Sequence, residues 1–97
     1  MADRVLFISW GTPVRGREVR GLEVFNGSIG LYGRMQEEGR IESFDVVLLG
    51  AQSDLNGYIQ LHGSAAQIAA VREDEEFQRN TIEASLIVDD LRQSEGI

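Results

Sequence analysis

The stretch RVLFISW at residues 4–10 begins the pattern that decides the fold. Its apolar and β-branched residues are typical of a strand, and residues 41–49 form a second such stretch beyond a long helical segment. Residues 57–62 and 84–91 repeat the arrangement of strand, helix and strand. This order predicts a single α+β domain over residues 1–97, in which a four-stranded antiparallel sheet carries both helices on one face.

The two helical segments have recognisable boundaries. We expect helix one to begin within residues 15–18 and to run to about Glu38, with Gly39 as a left-handed C-cap. Four glycines inside this helix indicate a close approach of its backbone to the sheet or to another helix. Ser64 and Gln67 have the spacing of a capping box and predict the start of helix two. The apolar stripe expected on helix one consists of Leu22, Phe25, Ile29, Tyr32 and Met35.

The region after helix two is expected to form another turn or two of helix and then strand four. Asp74 is a candidate N-cap for the turn that carries Phe77. Strand four, at residues 84–91, contains the pair Asp89-Asp90, and adjacent strand residues point to opposite faces. One of these carboxylates is a candidate general base, or an ion-pair partner of Arg4 or Arg92. Residues 93–97 are predicted to fray.

The composition excludes several kinds of chemistry. Nine Lys+Arg against sixteen Asp+Glu give a net charge of −7, which disfavours nucleic acid or an anionic membrane as a partner. All nine cations are arginine and there is no cysteine, so Schiff-base amines, thiol nucleophiles and thiolate metal sites are excluded. One histidine with scattered carboxylates predicts no metal site, and no cofactor is predicted. No apolar run reaches membrane-spanning length, so a soluble, cytoplasmic protein is expected.

The length, the βαββαβ order and the segment Glu75-Glu76-Phe77 before the last strand resemble the dimeric α+β barrel superfamily of ferredoxin-like domains. That superfamily includes antibiotic-biosynthesis monooxygenases, muconolactone isomerases, haem-handling proteins and many functionally uncharacterised members, which this chain resembles most. The resemblance covers nearly the whole chain. It implies a homodimer in which two sheets pack face to face, with a cavity between sheet and helices in each subunit. No catalytic residue of the superfamily is assigned to a position of this chain on the basis of the resemblance.

The candidate site is built around His62, the only histidine in the sequence and the only side chain that ordinarily titrates near neutral pH. His62 shares a strand face with Tyr58 and Gln60, which offer an apolar wall and hydrogen-bonding groups. In such a sheet strands one and three are expected to be adjacent and parallel, so Trp10 and His62 are expected near the same edge. We therefore predict His62 as the catalytic residue and Trp10, Tyr58, Gln60 and His62 as ligand-binding residues. The alternative is an ordinary interface histidine, hydrogen-bonded to a neighbour.

Two functions from different classes follow from these expectations. The first is a homodimeric domain that binds or transforms a small organic molecule, without a metal, in a cavity that reaches His62. The second is a non-catalytic dimerisation domain whose apolar surfaces serve only the core and the interface. Under both functions we expect a homodimer through the helix-free face of the sheet. The strands carry apolar residues on both faces but helices cover only one, so a monomer would leave a large apolar patch exposed. A pocket beside His62 would favour the first function.

Overall fold

The computed structural model describes residues 3–49 and 55–97. Residues 50–54, between the segments predicted as strands two and three, lie outside the described residues. Along the described chain the elements are β1 (Arg4–Trp10), α1 (Glu18–Glu37), β2 (Ser43–Leu48), β3 (Gly57–Gly63), α2 (Ala65–Glu73), α3 (Glu75–Ser85) and β4 (Arg92–Gly96).

The four strands form one antiparallel sheet in the order β2-β3-β1-β4, which confirms the predicted fold class. The expectation that β1 and β3 run parallel is wrong. In the observed register Val5 lies opposite His62, and Trp10 lies opposite Gly57. The reason is topological. The connection through α1 makes β2 run parallel to β1, and the chain reverses after β2, so β3 runs antiparallel to both.

The core lies between the sheet and the helices. Strand residues at alternate positions are buried toward the helices, and Leu6 and Leu61 are directly opposite each other and fully inaccessible. The helices contribute the remaining core side chains. These are Leu31, Tyr32, Met35, Ile68, Val71 and Phe77.

Helix α1 has the predicted boundaries, and Gly39 follows it with a φ of +74°, the left-handed conformation that glycine favours. Its buried face differs from the expected stripe. Leu22 is 64% exposed, whereas Val24 and Ser28 are buried, because α3 packs along this side of α1. The expected close approach of glycines is also wrong for the middle of the helix, since a Cβ added at Gly27, Gly30 or Gly33 would have no neighbour within 4 Å.

Helices α2 and α3 begin at side-chain caps. Ser64 and Gln67 form the complete capping box predicted for α2. The carboxylate of Asp74 accepts a hydrogen bond from the Phe77 backbone N–H at 2.9 Å, which confirms the predicted N-cap. The helix that follows runs for 11 residues rather than one turn or two. No helix in residues 3–49 and 55–97 combines the length and the hydropathy needed to cross a membrane.

The last strand lies later in the sequence than expected. The prediction of strand four at residues 84–91 is wrong, because α3 continues to Ser85 and residues 86–91 connect it to β4. Ile87, in this connection, is 5% exposed and packs near α1, whereas Leu86 is 59% exposed and Val88 forms only an isolated bridge with Pro13 outside the four named strands. Residues 93–96 of the predicted frayed tail belong to β4.

The acidic pair consequently lies in a connection and not on a strand. The backbone N–H of Asp89 donates to the Thr12 carbonyl at 2.9 Å, and Asp90 has a φ of +54°. Neither carboxylate forms an ion pair with an arginine in the described part of the chain. The pair therefore lies in a turn without the predicted ion pair, and a general-base role for one of its carboxylates stays a prediction.

Candidate functional site

A cavity of about 100 Å³ lies between the sheet and the helices α1 and α3. Strands β1 and β3 supply its floor, with Ile8 and Ile59 at adjacent positions of the sheet. Val24 of α1 and Ala84 of α3 form part of its walls, and Leu91 of the connection to β4 also lines it. The volume is of the order that accommodates a single small ring, since an apolar cavity of about 150 Å³ in another protein binds benzene.

Trp10 is the largest side chain of the cavity and the only tryptophan of the chain. Its indole lies over Gly57, the facing residue on β3. A Cβ added there would come within 2.6 Å of Trp10 Cζ2, so only glycine allows this placement. On the other side the indole meets Phe25 of α1 edge to face, with ring centroids 6.1 Å apart. Trp10 and Phe25 thus border the cavity as an aromatic pair.

Two hydrogen-bonded pairs bring polar groups to this apolar space. The Ser28 hydroxyl lies 3.0 Å from the Asn80 Oδ1 and 3.0 Å from the Val24 carbonyl, and can donate to either. The Gln93 amide Nε2 donates to the Thr81 hydroxyl at 3.0 Å. Apart from Val24, whose backbone accepts, these residues line the cavity with their polar side chains. In each pair, one polar atom of a side-chain amide (Asn80 or Gln93) is hydrogen-bonded, and the other polar atom of that amide is available to a ligand.

Tyr32 places a phenol at the same cavity while being 2% exposed. Its hydroxyl makes no hydrogen bond to any described residue. Every fully buried polar side-chain atom in the described part of the chain has a hydrogen-bond partner, so this hydroxyl keeps some contact with solvent-accessible space. Burial raises the pKa of the Tyr32 phenol above its ordinary range, and the group therefore stays protonated at neutral pH.

The electrostatic character of the cavity is neutral. None of the described residues that line it carries a charge. A ligand with a full charge would lose its hydration there without gaining an ion pair, which is costly. The cavity therefore suits an uncharged molecule with a few hydrogen-bonding groups.

Ion pairs join the two helices that cover the cavity. Arg20 of α1 contacts Glu83 of α3 at 2.9 Å, and Arg34 contacts Glu76 at 2.6 Å. The Glu76 carboxylate raises the pKa of the Arg34 guanidinium, which is already charged at all relevant pH values. All four side chains are exposed by about 40% or more, so these pairs contribute little to stability. Their position nevertheless holds α1 beside α3 over the cavity.

Three of the four predicted ligand-binding residues lie on the opposite, helix-free face of the sheet. Tyr58 stacks on Phe7 with ring centroids 5.1 Å apart. The His62 Nε2 lies 2.8 Å from the Asp45 Oδ2 on β2. Gln60 lies between them along β3, opposite Phe7 on one side and Asp45 on the other. This face therefore combines an aromatic pair with a histidine–carboxylate contact.

Trp10 is separated from Tyr58, Gln60 and His62. Because β1 and β3 are antiparallel, the residue opposite His62 is Val5, five positions before Trp10, or about 17 Å along the strand. Trp10 also points to the helix side, where the cavity lies. The structure thus places one predicted residue in the cavity and three on the other face. His62 does not line the cavity, and a catalytic role for it stays a prediction.

The described residues hold no cluster of three or more histidine, cysteine, aspartate or glutamate side chains arranged to bind a metal ion. The available ligands in the cavity itself are hydroxyl and amide groups. Its donor set is therefore one for organic hydrogen-bonding groups and not for a transition metal.

The polar residues of the cavity were missed in the sequence, although signals for two of them were present. Asn80 follows Phe77 by three positions, so it lies on the buried face once α3 is extended beyond its first turn. Ser28 lies four positions before Tyr32 and shares its helix face. Gln93 carried no such signal, because its segment was expected to fray.

The fold is that of the ferredoxin-like α+β proteins, and solved structures with this arrangement are similar along nearly the whole chain. One is a dimeric protein of unknown function and ferredoxin-like fold from Bacteroides fragilis, with a TM-score of 0.68 and 11% identity over 96% of this chain and 94% of that chain. Another is a candidate antibiotic biosynthesis monooxygenase from Chloroflexus aurantiacus, with a TM-score of 0.61 and 12% identity over 98% and 92% of the two chains.

A third is SnoaB, a cofactor-independent oxygenase from Streptomyces nogalater. Its TM-score is 0.59 and its identity 14%, over 98% of this chain and 90% of that chain. No protein-family model and no curated protein matches the sequence. The TM-scores of 0.59–0.68 over nearly the whole chain establish the shared fold, which confirms the resemblance drawn from the sequence, and the identities of 11–14% show nothing beyond the fold.

Proposed function

We propose that this chain binds or transforms a neutral small organic molecule, without a metal, in the cavity between α1, α3 and the sheet. The observation that carries the proposal is the combination of an uncharged lining with the hydroxyl of Tyr32, which keeps contact with accessible space and has no partner among the described residues. A few polar groups that are free to hydrogen-bond within a mainly apolar cavity are what a neutral organic ligand requires.

The structural neighbours support the same class of function. Two of them are described as oxygenases, and SnoaB as independent of a cofactor. A cavity whose described lining offers no metal-binding cluster is compatible with chemistry of the kind described for SnoaB. The fold alone is shared, so the proposal names a kind of ligand and leaves the reaction open.

We further infer that the chain forms a homodimer through the helix-free face of the sheet. Phe7, Tyr58 and Val47 lie on this face without a helix to cover them. Covering the face with a second copy would remove that apolar surface from water. The neighbour from Bacteroides fragilis is itself described as dimeric.

The cavity proposal is tested with toluene as a ring-sized probe and the fluorescence of Trp10 as the signal. We expect a saturable change in wild type. Ala84→Leu should abolish it, because three added carbon atoms would occupy the cavity. Ala69→Leu, on the exposed side of α2, is the matched control and should retain binding. His62→Ala should also retain it, because His62 lies on the other face of the sheet. Absence of a saturable signal in wild type would reject the proposal.

The dimer is tested by light scattering at low micromolar concentration. Wild type should show twice the 10.8 kDa mass of one chain. Phe7→Arg places a charge in the centre of the helix-free face and should give a monomer. Val19→Arg, at a position 73% exposed on α1, makes the same change elsewhere and should remain dimeric. A monomeric wild type, or equal behaviour of the two variants, would contradict this interface.

A further inference from the structure

Two amides at the cavity each have one end fixed and one end free. The Asn80 Oδ1 faces the Ser28 hydroxyl, and the Asn80 Nδ2 has no hydrogen-bond partner among the described residues. The Gln93 Nε2 is bonded to Thr81, and the Gln93 Oε1 has no partner among them. The free ends are complementary in kind: Asn80 offers a donor and Gln93 offers an acceptor.

These free ends must reach space that water or a ligand can enter. No fully buried polar side-chain atom within the described residues lacks a partner, so neither free end is sealed in the core. The cavity is a space that both residues line. Asn80 also borders a polar groove on the outer surface between α1 and α3, so it lies where the cavity meets that groove.

The two amides approach the cavity from different directions. Asn80 and Thr81 are consecutive on α3 and are therefore turned about 100° from each other around the helix axis. Asn80 is held toward α1 through Ser28, and Gln93 is held by Thr81 on the side of β4. A ligand between them would meet the donor and the acceptor at separate points.

We propose that Asn80 and Gln93 are the specificity-determining residues of this cavity. Asn80 selects a ligand group that accepts a hydrogen bond, such as a carbonyl oxygen, and Gln93 selects a group that donates one, such as a hydroxyl. The favoured ligand is thus a neutral molecule of about one ring that carries an acceptor and a donor at different positions. This inference rests on the proposed binding function of the cavity.

The test uses two pairs of probes that have nearly the same shape and differ in one polar group. Benzaldehyde and styrene differ in an acceptor, and phenol and toluene differ in a donor. Wild type should bind benzaldehyde more tightly than styrene, and phenol more tightly than toluene. Each ratio of affinities should be about three- to tenfold, which corresponds to the usual net contribution of one hydrogen bond. The affinities are measured by titration of Trp10 fluorescence and checked by calorimetry.

Two near-isosteric variants separate the roles. Asn80→Leu should remove the preference for benzaldehyde and keep that for phenol, whereas Gln93→Met should do the reverse. The preference that each variant keeps shows that its cavity is intact. If toluene and styrene fail to bind wild type, the proposed binding function fails. Three outcomes would overturn the assignment of these residues although toluene and styrene bind. The first is that wild type shows no preference within either probe pair, and the second is that neither variant changes a preference. The third such outcome is that Asn80→Leu removes the preference for phenol instead of that for benzaldehyde.

Discussion

The glycines in the middle of α1 allow a prediction whose size follows directly from the structure. A Cβ added at Gly30 would have no neighbour within 4 Å, and φ at this position is not in the left-handed region. Alanine is more favourable than glycine inside a helix by about 0.8–1.0 kcal/mol. Gly30→Ala should therefore raise the free energy of unfolding by about 1 kcal/mol, which corresponds to about 4–8 °C in Tm for a chain of this size.

The same reasoning gives a change of opposite sign at Gly57, which serves as the control. There the added Cβ would lie 2.6 Å from Trp10 and 3.0 Å from the Val47 carbonyl oxygen, a backbone atom that cannot easily move. Gly57→Ala should lower the free energy of unfolding by about 1–3 kcal/mol. Both variants are measured by urea unfolding followed by circular dichroism at a fixed protein concentration. If Gly30→Ala is destabilising, the outer face of α1 touches something in solution, and the reasoning is refuted.

Two further substitutions test single contacts described above. The Phe77 backbone N–H and, to a smaller extent, Arg40 lower the pKa of Asp74, so its charge stabilises the folded protein above the ordinary aspartate pKa of about 4 and this contribution is lost as pH falls further. Asp74→Asn should be less stable than wild type at pH 7, and this difference should shrink as the pH falls below about 4; a difference in urea unfolding that stays constant with pH would contradict this. Tyr32→Phe should change the free energy of unfolding by less than about 0.5 kcal/mol, because no hydrogen bond is lost. A loss above about 1.5 kcal/mol would show that the hydroxyl has a partner in solution.

The sequence was sufficient for those elements whose signals are local. β1 was predicted to the residue because its apolar run is bounded by Arg4 and by the turn at Gly11. The start of α2 followed from Ser64 and Gln67, since a capping box acts within four residues. The start of α3 followed from Asp74 in the same way.

Features that depend on contacts between distant parts of the chain could not be predicted from the sequence. The segment RQSEG of β4 has no apolar alternation of its own and becomes a strand because β1 offers it a backbone partner. The apolar run at residues 86–88 looked more like a strand, yet Ile87 is buried beside α1. The expected proximity of Trp10 and His62 was wrong for a related reason: it depended on the direction of β3 relative to β1, which is antiparallel.

The position of β1 in the middle of the sheet also constrains how the chain folds. β1 is the first strand in the sequence, but its two neighbours are β3 and β4, and Val5 pairs with Gly96. Contacts between such distant residues require the closure of long loops, which slows folding. During synthesis β1 would therefore wait with one edge unpaired until residues 92–96 emerge, and in that interval it is exposed to pairing with another copy. Shortening β4 should consequently affect the yield of folded protein more than the exposed, polar character of this strand suggests.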